Sequence, residues 1–224
     1  PLTASDPAKL ATGLIIDHPS SRARISLAAN CGADLAAILR GEVDPLSRLF
    51  PEGSTELAEA LYRDAPEAKA FNQLVRETVR DIAAHLPAAR RLRVLEVGGG
   101  TGGTTAWVAP VLPERTDYLF TDLGPSMIAR ARESFAAFSF MDFKVFDIER
   151  DGAEQGIGAG YDLILASNVI HATADLEQTL ARLRGLLAPG GVVLMLEVAG
   201  DERWIDITFG LTEGWWRFSD RGLR

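Results

Sequence analysis

The chain has 224 residues and a net charge of -8, and 47% of its residues are hydrophobic and 24% charged. These values are ordinary for a folded globular protein and exclude a disordered, collagen-like or low-complexity chain. Because the net charge is negative and the Lys and Arg residues are dispersed along the chain, a nucleic-acid-binding surface is not expected.

The cysteine and hydropathy patterns narrow the class of protein further. Cys31 is the only cysteine, so no internal disulfide can form, and a reducing, cytoplasmic compartment is expected. No group of Cys and His residues has the spacing of a zinc site, and we expect no metal. No apolar run approaches the roughly 20 residues of a membrane-spanning helix, and we expect no membrane association.

The length predicts one substantial domain with an additional appendage. The first residues, PLTASDPAKL, contain neither an initiator Met nor a signal-peptide pattern. We therefore expect the chain to be a segment of a longer polypeptide, although an arbitrary choice of ends would give the same pattern.

Residues 1–90 are predicted to form a helical subdomain. In stretches such as ISLAANCGADLAAILR and PEAKAFNQLVRETVRDIAAHL, apolar residues recur at intervals of three and four, as they do on amphipathic helices. Ser54 and Thr55 are suited to cap a helix, and Pro66 is suited to a first helical turn.

Residues 91–224 have a different pattern. Short β-branched or leucine-rich runs alternate with amphipathic helices, from RLRVLEV through YDLILAS to GGVVLMLEV. Such alternation is typical of a parallel sheet that helices cover on both faces. The predicted fold is therefore α/β, a Rossmann-like doubly wound sheet with strand order 3-2-1-4-5. The Gly-rich segment 151–160 is predicted to be a flexible surface connection.

The sequence VLEVGGGTGGTT at 94–105 is interpreted as a strand, a tight turn and the start of a helix. In doubly wound sheets, this first turn lies at the edge where ligands bind, and its glycines let the backbone approach a ligand closely. Two glycine patterns fit equally well: G-x-G-x-x-G, typical of dinucleotide sites, and E-x-G-x-G-x-G, which comprises Glu96, Gly98, Gly100 and Gly102.

The charge of Glu96 favours one of these two patterns. A carboxylate beside the turn would repel the pyrophosphate of a dinucleotide and attract a cofactor that carries an ammonium and a sulfonium. S-adenosylmethionine has that arrangement of charge, and we predict it as the cofactor. The alternative is that Glu96 only accepts hydrogen bonds from the backbone of a tight turn.

Further candidate ligands follow the other predicted strands. Asp122 and Asp147 end the second and third strands, at the same edge of the sheet as the glycines. They are suited to accept hydrogen bonds from ribose hydroxyls and from an adenine amino group, respectively. The alternatives are a helix N-cap for Asp122 and a solvated strand end for Asp147. Asn168, which follows the fourth strand, is assigned to the same cofactor site.

His171 is the candidate catalytic base. It follows the fourth strand, and Glu197 ends the neighbouring fifth strand, so the two side chains are expected to meet. A carboxylate at one imidazole nitrogen fixes the tautomer and leaves the other nitrogen as a base near neutral pH. Because methyl transfer to nitrogen or sulfur often needs no such base, we infer methylation of carbon or of a hydroxyl. A structural histidine is the alternative.

Five motifs together resemble the C-methyltransferase domain of modular polyketide synthases: VLEVGGGTGGTT, YLFTDLGPSMI, ILASNVIHAT, LLAPGGVVLMLEV and FGLTEGWWRFSD. The resemblance covers residues 40–224. It implies a class I, S-adenosylmethionine-dependent methyltransferase core over 91–224 with an N-terminal helical lid over 1–90. Cores of this family continue into two further strands, whereas this chain ends before them.

The resemblance also implies a reaction. The enzyme would methylate the α-carbon of a β-ketoacyl chain carried as a phosphopantetheine thioester on an acyl carrier protein, with neighbouring synthase domains in the same polypeptide and S-adenosylhomocysteine as product. His171 would remove the α-proton with Glu197 as its partner. Three glycines would bear the methionine part, with Asp122 at the ribose and Asp147 at the adenine; the glycines are Gly98, Gly100 and Gly102.

Other residues receive weaker assignments from the same resemblance. Tyr62 and Asn72 are candidates for the active-site wall. Trp215 and Trp216 would line an acyl tunnel or pack in a core. A patch for docking an acidic carrier protein is expected among Arg76, Arg80, Arg90, Arg91 and Arg93. Three rival functions stay open: an inactive methyltransferase-like scaffold, an O-methyltransferase, and an NAD-dependent oxidoreductase, which Glu96 disfavours.

Overall fold

The structure is a computed structural model that describes residues 6–198, 200 and 202–219. Asp220, the last residue of the FGLTEGWWRFSD motif, and the outermost residues of both predicted domains lie outside this described part. The chain divides into two compact units. One comprises the residues up to Lys69 together with Gly200–Trp216, and the other comprises Ala70–Ala199 together with the residues from Arg217 onward.

The first unit is helical. Its helices are α1 (Pro7–Asp17), α2 (Arg22–Ala33), α3 (Leu35–Leu39), α4 (Leu46–Leu49) and α5 (Glu56–Glu59), followed by a π-helical turn at Ala60–Asp64 and a later short helix at Arg203–Asp206. Its core is built from apolar side chains of α2, α4 and the π-helical turn; they are Ala23, Leu27, Cys31, Leu49 and Leu61. The predicted helical character of this segment is confirmed, while its role as a lid with a boundary at residue 90 stays a prediction.

Helix α6 (Pro66–His85) begins in the first unit and continues into the second. Proline suits the first turn of a helix because its missing N–H is not needed there. The buried stripe of α6 in the second unit consists of Asn72, Val75, Val79 and Ala83, which recur at intervals of three and four as the sequence pattern predicts.

The second unit contains a five-stranded parallel sheet in the order β3-β2-β1-β4-β5. The strands are β1 (Leu92–Val97), β2 (Thr116–Asp122), β3 (Met141–Val145), β4 (Tyr161–Ser167) and β5 (Leu187–Leu196). The remaining helices are α7 (Thr105–Val108), α8 (Pro125–Ser134) and α9 (Leu176–Leu186). The predicted α/β class and strand order are confirmed.

The sheet has an apolar cluster on each face. Because alternate side chains of a strand point to opposite faces, Val94 of β1 belongs to one cluster and Leu95 to the other. Phe120 and Val79 join Val94, whereas Ile164 and Leu183 join Leu95. Burial on both faces explains why the strands are continuous apolar runs rather than alternating ones.

The carboxyl ends of all five strands lie at one edge of the sheet, because the strands are parallel. The loops that follow β1, β2, β3 and β4 therefore bring together the residues singled out in the sequence. No helix within residues 6–198, 200 and 202–219 is long and apolar enough to cross a membrane.

Candidate active site

The turn after β1 depends on glycines for two different reasons. Gly98, Gly100 and Gly102 have φ angles of 60°, 54° and 76°, in the left-handed region that glycine adopts without strain. A Cβ on Gly98 would lie 2.2 Å from Val169 Cγ2, and one on Gly102 would lie 2.5 Å from the Phe135 ring. A Cβ on Gly100 would meet nothing nearer than 3.9 Å. The turn is thus tightly packed at two glycines and open at the third.

Glu96 lies beneath this turn and is only 1% exposed. Its Oε2 accepts hydrogen bonds from the Thr105 and Tyr118 hydroxyls, both at 2.7 Å. Burial raises the pKa of the Glu96 carboxyl to about 7; the two hydroxyl donors lower it, and the nearby charge of Asp122 raises it further. Glu96 is therefore a buried carboxyl in the protein interior rather than a charge on the surface of the turn. Its assignment to cofactor binding stays a prediction.

Asp122 connects two loops at the sheet edge. The Gly100 N–H donates to its Oδ2 at 2.9 Å, and the Gly124 N–H donates to its Oδ1 at 2.8 Å. Gly124, not Asp122, occupies the N-cap position of α8, so the alternative interpretation of Asp122 as the cap of this helix is wrong. Each carboxylate oxygen can accept a further hydrogen bond, because it has two lone pairs.

Asp147 is held by a contact that the sequence analysis missed. The Asp147 N–H donates to Gln155 Oε1, and Gln155 Nε2 donates back to the Asp147 carbonyl, both at 2.8 Å. Asp147 Oδ1 accepts from the Glu149 N–H at 2.9 Å. The predicted flexible connection at 151–160 therefore contains a residue that fixes the backbone of a candidate ligand. A lone Gln in a Gly-rich loop gives no signal of such a pairing in the sequence.

A cleft of about 270 Å³ lies at this edge of the sheet. Four of the predicted cofactor residues line it: Gly98, Asp122, Asp147 and Asn168. Apolar side chains form another part of its wall, namely Val97, Leu123, Phe146, Ile148, Val169 and Ala172.

Asn168 contributes an unusual group to this cleft. Its φ angle is 52°, a left-handed conformation that Asn tolerates better than most residues do. Its side-chain Oδ1 is buried and has no hydrogen-bond partner within the described part of the chain. A buried acceptor without a partner is costly, so a ligand that donates a hydrogen bond here would stabilise the site.

The cleft fits S-adenosylmethionine by the chemistry of its lining. The ligand's hydroxyl, amino and ammonium groups are donors, and the cleft offers the acceptors of Asp122, Asp147 and Asn168. The adenine ring needs an apolar wall, which Phe146 and Ile148 can supply, since they are 5% and 9% exposed in the core and also line the cleft.

His171 and Glu197 meet as the topology predicts. In the β4–β5 register Ser167 pairs with Leu196, so the loop after β4 and the residue after β5 are neighbours. His171 Nδ1 lies 2.6 Å from Glu197 Oε2, and the two side chains are 12% and 9% exposed. Glu197 Oε1 accepts from the backbone N–H groups of Val169 and Ile170 at 3.0 and 2.8 Å.

These contacts fix both side chains. An ionised carboxylate can only accept, so Glu197 places the proton of a neutral His171 ring on Nδ1. The Nε2 atom is then the basic nitrogen of the ring. His171 also belongs to the loop that lines the cleft through Ala172 and Thr173, which brings the base and the cofactor cleft together.

A chain of hydroxyls supports the same region. Thr104, at the end of the glycine turn, lies 2.9 Å from Asn72 Oδ1 and 3.0 Å from Ser167 Oγ. Asn72 is 1% exposed on α6, so it is a buried support of the turn. Whether it also forms part of a substrate wall stays a prediction.

Tyr62, Trp215 and Trp216 belong to the helical unit. The Tyr62 ring packs 6.1 Å from the Phe209 ring. Trp216 is 60% exposed and donates to the Gly210 carbonyl at 2.6 Å, so the alternative of core packing is wrong for this residue.

Three of the five arginines of the expected basic patch are paired with carboxylates. Arg80 pairs with Asp81, Arg90 with Asp162, and Arg91 with Asp117. Arg93 donates to the Ala159 and Gly160 carbonyls at 3.0 and 2.9 Å. These pairings reduce the positive charge that the surface presents to an acidic partner. Of the other histidines, His18 is exposed and His85 is the last residue of α6.

Comparison with known proteins gives the family. Residues 95–193 match the family model described as a methyltransferase domain. A non-reducing polyketide synthase of Emericella nidulans, dbaI, is 39% identical over 213 residues, which are 92% of this chain. The chain spans only 8% of the length of that relative.

Solved structures agree with the sequence match. The CurJ carbon methyltransferase has a TM-score of 0.94 and 40% identity, with 97% of this chain and 58% of that one covered. The CMeT domain of the citrinin polyketide synthase has a TM-score of 0.92 and 33% identity, with 100% and 60% covered. The trans-methyltransferase CalH, solved with SAH, has a TM-score of 0.80 and 31% identity, with 93% and 58% covered.

Proposed function

Because this chain belongs to the methyltransferase family and is homologous to the C-methyltransferase domains of polyketide synthases, we propose that it methylates the α-carbon of a β-ketoacyl thioester. S-adenosylmethionine is the cofactor of this family, and SAH is bound in the related CalH structure. The single observation that carries the proposal of carbon as acceptor is the similarity to the CurJ carbon methyltransferase, with a TM-score of 0.94 and 40% identity. The His171–Glu197 pair, with 2.6 Å between Nδ1 and Oε2, supplies the base that such a reaction needs.

A β-ketoacyl thioester requires such a base. Its α-carbon lies between two carbonyl groups, and it becomes a nucleophile only after it loses a proton. His171 Nε2 takes this proton, and the Glu197 carboxylate stabilises the imidazolium that forms. The carboxylate stays in position because its Oε1 accepts hydrogen bonds from two backbone N–H groups.

The residues that line the cleft would hold the cofactor. Asp122 would accept from the ribose, Asp147 from the adenine, and Asn168 Oδ1 from a further donor of the cofactor. The glycine turn would bear the methionine part, with Gly98, Gly100 and Gly102 supplying a backbone that ligands can approach. The bound cofactor supplies an electrophilic methyl group on a sulfonium. Both the glycine turn and His171 are fixed by the sheet, which keeps the reacting groups in place.

The proposed setting follows from the relatives. They are polyketide synthases many times longer than this chain, which supports an acyl carrier protein bearing the phosphopantetheine thioester and neighbouring synthase domains as partners. A cytoplasmic location rests on the single cysteine and stays a prediction.

The test is an assay of the purified chain with a β-ketoacyl pantetheine and methyl-labelled S-adenosylmethionine. We expect a product heavier by one methylene, with the label on the α-carbon by NMR. His171→Ala should abolish the product while SAH still binds with unchanged affinity. A label on oxygen would instead establish an O-methyltransferase, and SAH binding without any turnover would establish an inactive scaffold. Stabilisation by NAD(H) but not by SAH in a thermal-shift screen would establish the dinucleotide alternative.

A further inference from the structure

A residue outside all the sequence motifs for cofactor binding lines the mouth of the cleft. Arg217, which follows the short helical turn Glu213–Trp216, lies in the sheet unit and lines the cleft together with Glu149. Arg217 Nη2 lies 3.0 Å from Glu149 Oε2. The Arg217 side chain is 51% exposed and that of Glu149 is 21% exposed, so the pair lies at the border between cleft and solvent.

Glu149 also binds the loop that follows β4. Its Oε1 accepts from the Ala174 N–H at 2.8 Å, in the loop that follows β4. The same Ala174 accepts at its carbonyl from the Ser219 N–H and hydroxyl, at 2.6 and 2.9 Å. Three segments are therefore joined across the cleft: the residues after β3, the loop after β4 and residues 217–219.

The charges explain why a cation belongs here. The cleft is lined by three carboxylates, Asp122, Asp147 and Glu149, and Arg217 is the only cation among the described residues that line it. Asp147 and Glu149 are two residues apart, and the Glu149 N–H donates to the Asp147 carboxylate. An unpaired Glu149 would repel Asp147 and weaken the hold on the loop after β4.

We propose that Arg217 is a positioning residue for the cofactor: its ion pair with Glu149 holds residues 217–219 across the cleft and slows the release of the bound nucleoside. This proposal rests on the proposed function, since the ligand of the cleft is S-adenosylmethionine. Arg217 acts through Glu149, and it takes no part in proton transfer, which belongs to His171.

The test compares four variants of the whole chain: Arg217→Ala, Arg217→Lys, Glu149→Gln, and Arg150→Ala as a control. Arg150 is exposed and lies next to Glu149, so its removal changes the net charge equally without touching the pair. Affinity for SAH is measured by calorimetry and its dissociation by stopped flow. We expect Arg217→Ala to weaken SAH binding roughly three- to tenfold through faster dissociation, as suits a half-exposed, charge-assisted pair.

Three further readouts separate this role from a merely structural one. Arg217→Lys should recover most of the affinity, because lysine keeps the positive charge that pairs with Glu149. The recovery should be incomplete, because lysine lacks the guanidinium group. Raising NaCl from about 50 mM to about 500 mM should weaken SAH binding more in the unsubstituted protein than in Arg217→Ala, because salt screens the exposed pair. In Arg217→Ala, the kcat at saturating cofactor should differ less than twofold from that of the unsubstituted protein.

The outcomes are distinguishable. If the unsubstituted chain binds no SAH, the proposed function itself fails. If it binds SAH and Arg217→Ala binds equally well, or if Arg150→Ala weakens binding as much, the proposal for Arg217 is overturned. A double variant Arg217→Ala/Glu149→Gln that loses no more affinity than the stronger of the two single variants would support the pair as one unit.

Discussion

Tyr118 donates its phenolic hydroxyl to the carboxylate of Glu96 across the neighbouring strands β2 and β1, at 2.7 Å. Val94 is the register partner of Tyr118, and Glu96 is two residues further along β1, so both side chains point to the same face of the sheet. Burial raises the pKa of Glu96 to about 7, and burial also raises the pKa of Tyr118 well above its ordinary value. The glycine turn thus adjoins a buried carboxyl whose pKa lies near neutral pH.

Glu96 should make the stability of the protein depend on pH. Its pKa in the folded state is about 7 and its ordinary value is 4.5, so the folded chain holds an extra proton between these values. The free energy of unfolding should therefore fall as the pH rises through this window, by about 3 kcal/mol from this residue. Glu96→Gln removes the titration. Chemical unfolding of both proteins from about pH 4 to about pH 8 should show the steeper fall in the unsubstituted chain.

The exposed carboxylate of Asp142, on β3, provides the control for this measurement. Asp142→Asn should leave the pH dependence of unfolding close to that of the unsubstituted protein. Parallel pH curves for Glu96→Gln and the unsubstituted chain would show that Glu96 does not titrate in this window, which would contradict the prediction.

The sequence predicts the order of the strands in the sheet, but it does not predict to which side the Glu96 side chain points. Apolar runs and intervening helices determine the strand order, because a parallel sheet must be buried on both faces. The same apolar runs do not indicate to which face of the sheet each side chain points, because β1 is buried on both faces. The sequence therefore predicts Glu96 beside the ligand, whereas the register with Tyr118 shows that its side chain points into the interior.

The glycine turn allows a matched pair of substitutions. Gly98→Ala introduces a Cβ 2.2 Å from Val169 Cγ2 at a positive φ, and it should cost about 2–4 kcal/mol of stability. Gly100→Ala meets no nearby atom and should cost only about 1 kcal/mol, the penalty of the left-handed backbone. Urea unfolding of both variants measures the difference.

The steric part of the Gly98 effect can be separated. Val169→Ala should recover part of the stability lost in Gly98→Ala, because it removes the methyl groups that the new Cβ meets. SAH binding to Gly100→Ala should weaken at least about tenfold, since the added methyl occupies the open face of the turn. Normal SAH affinity in this stable variant would exclude Gly100 from the cofactor site.

Asp122 and Asp147 should respond differently to the same change. In Asp122→Asn, one oxygen that now accepts from Gly100 or Gly124 becomes an amide donor facing an N–H, so both the turn and the ligand site are disturbed. Asp147→Asn can keep Oδ1 on the Glu149 N–H, and it loses only the second oxygen as an acceptor for the adenine. We expect SAH affinity to fall about 10- to 100-fold in the first variant and less than about fivefold in the second. Calorimetry with SAH measures both, and an equal loss would contradict this order.

The loops after the strands show what a single sequence leaves out. His171 and Glu197 were paired correctly because topology alone places them together. Gln155 and Arg217 were not assigned to the cleft, because their partners, the Asp147 backbone and Glu149, depend on loop conformations that no periodic pattern encodes. The site residues are thus predictable where the order of the strands positions them, and they are not predictable where loop conformations position them.

The tautomer of His171 gives the sharpest prediction about catalysis. In Glu197→Gln, the amide oxygen should stay with the Val169 and Ile170 N–H groups, because an NH2 group there would face two donors. The amide nitrogen then donates to His171 Nδ1, which must accept, and the ring proton moves to Nε2. A ring protonated at Nε2 cannot remove a proton through that atom. We therefore expect kcat to fall about 100- to 10,000-fold while SAH affinity stays within about twofold.

The ring nitrogens themselves supply the readout for this change. The measurement is ¹⁵N NMR of labelled histidine at a pH where the ring is neutral. The proton of His171 should be on Nδ1 in the unsubstituted protein and on Nε2 in Glu197→Gln. Glu177→Gln, an exposed change of the same chemistry in the first turn of α9, should alter neither the NMR signals nor kcat. Since a carboxylate and an amide have nearly the same shape, retained activity in Glu197→Gln would mean that Glu197 positions the loop after β4 and does not set the proton on the base.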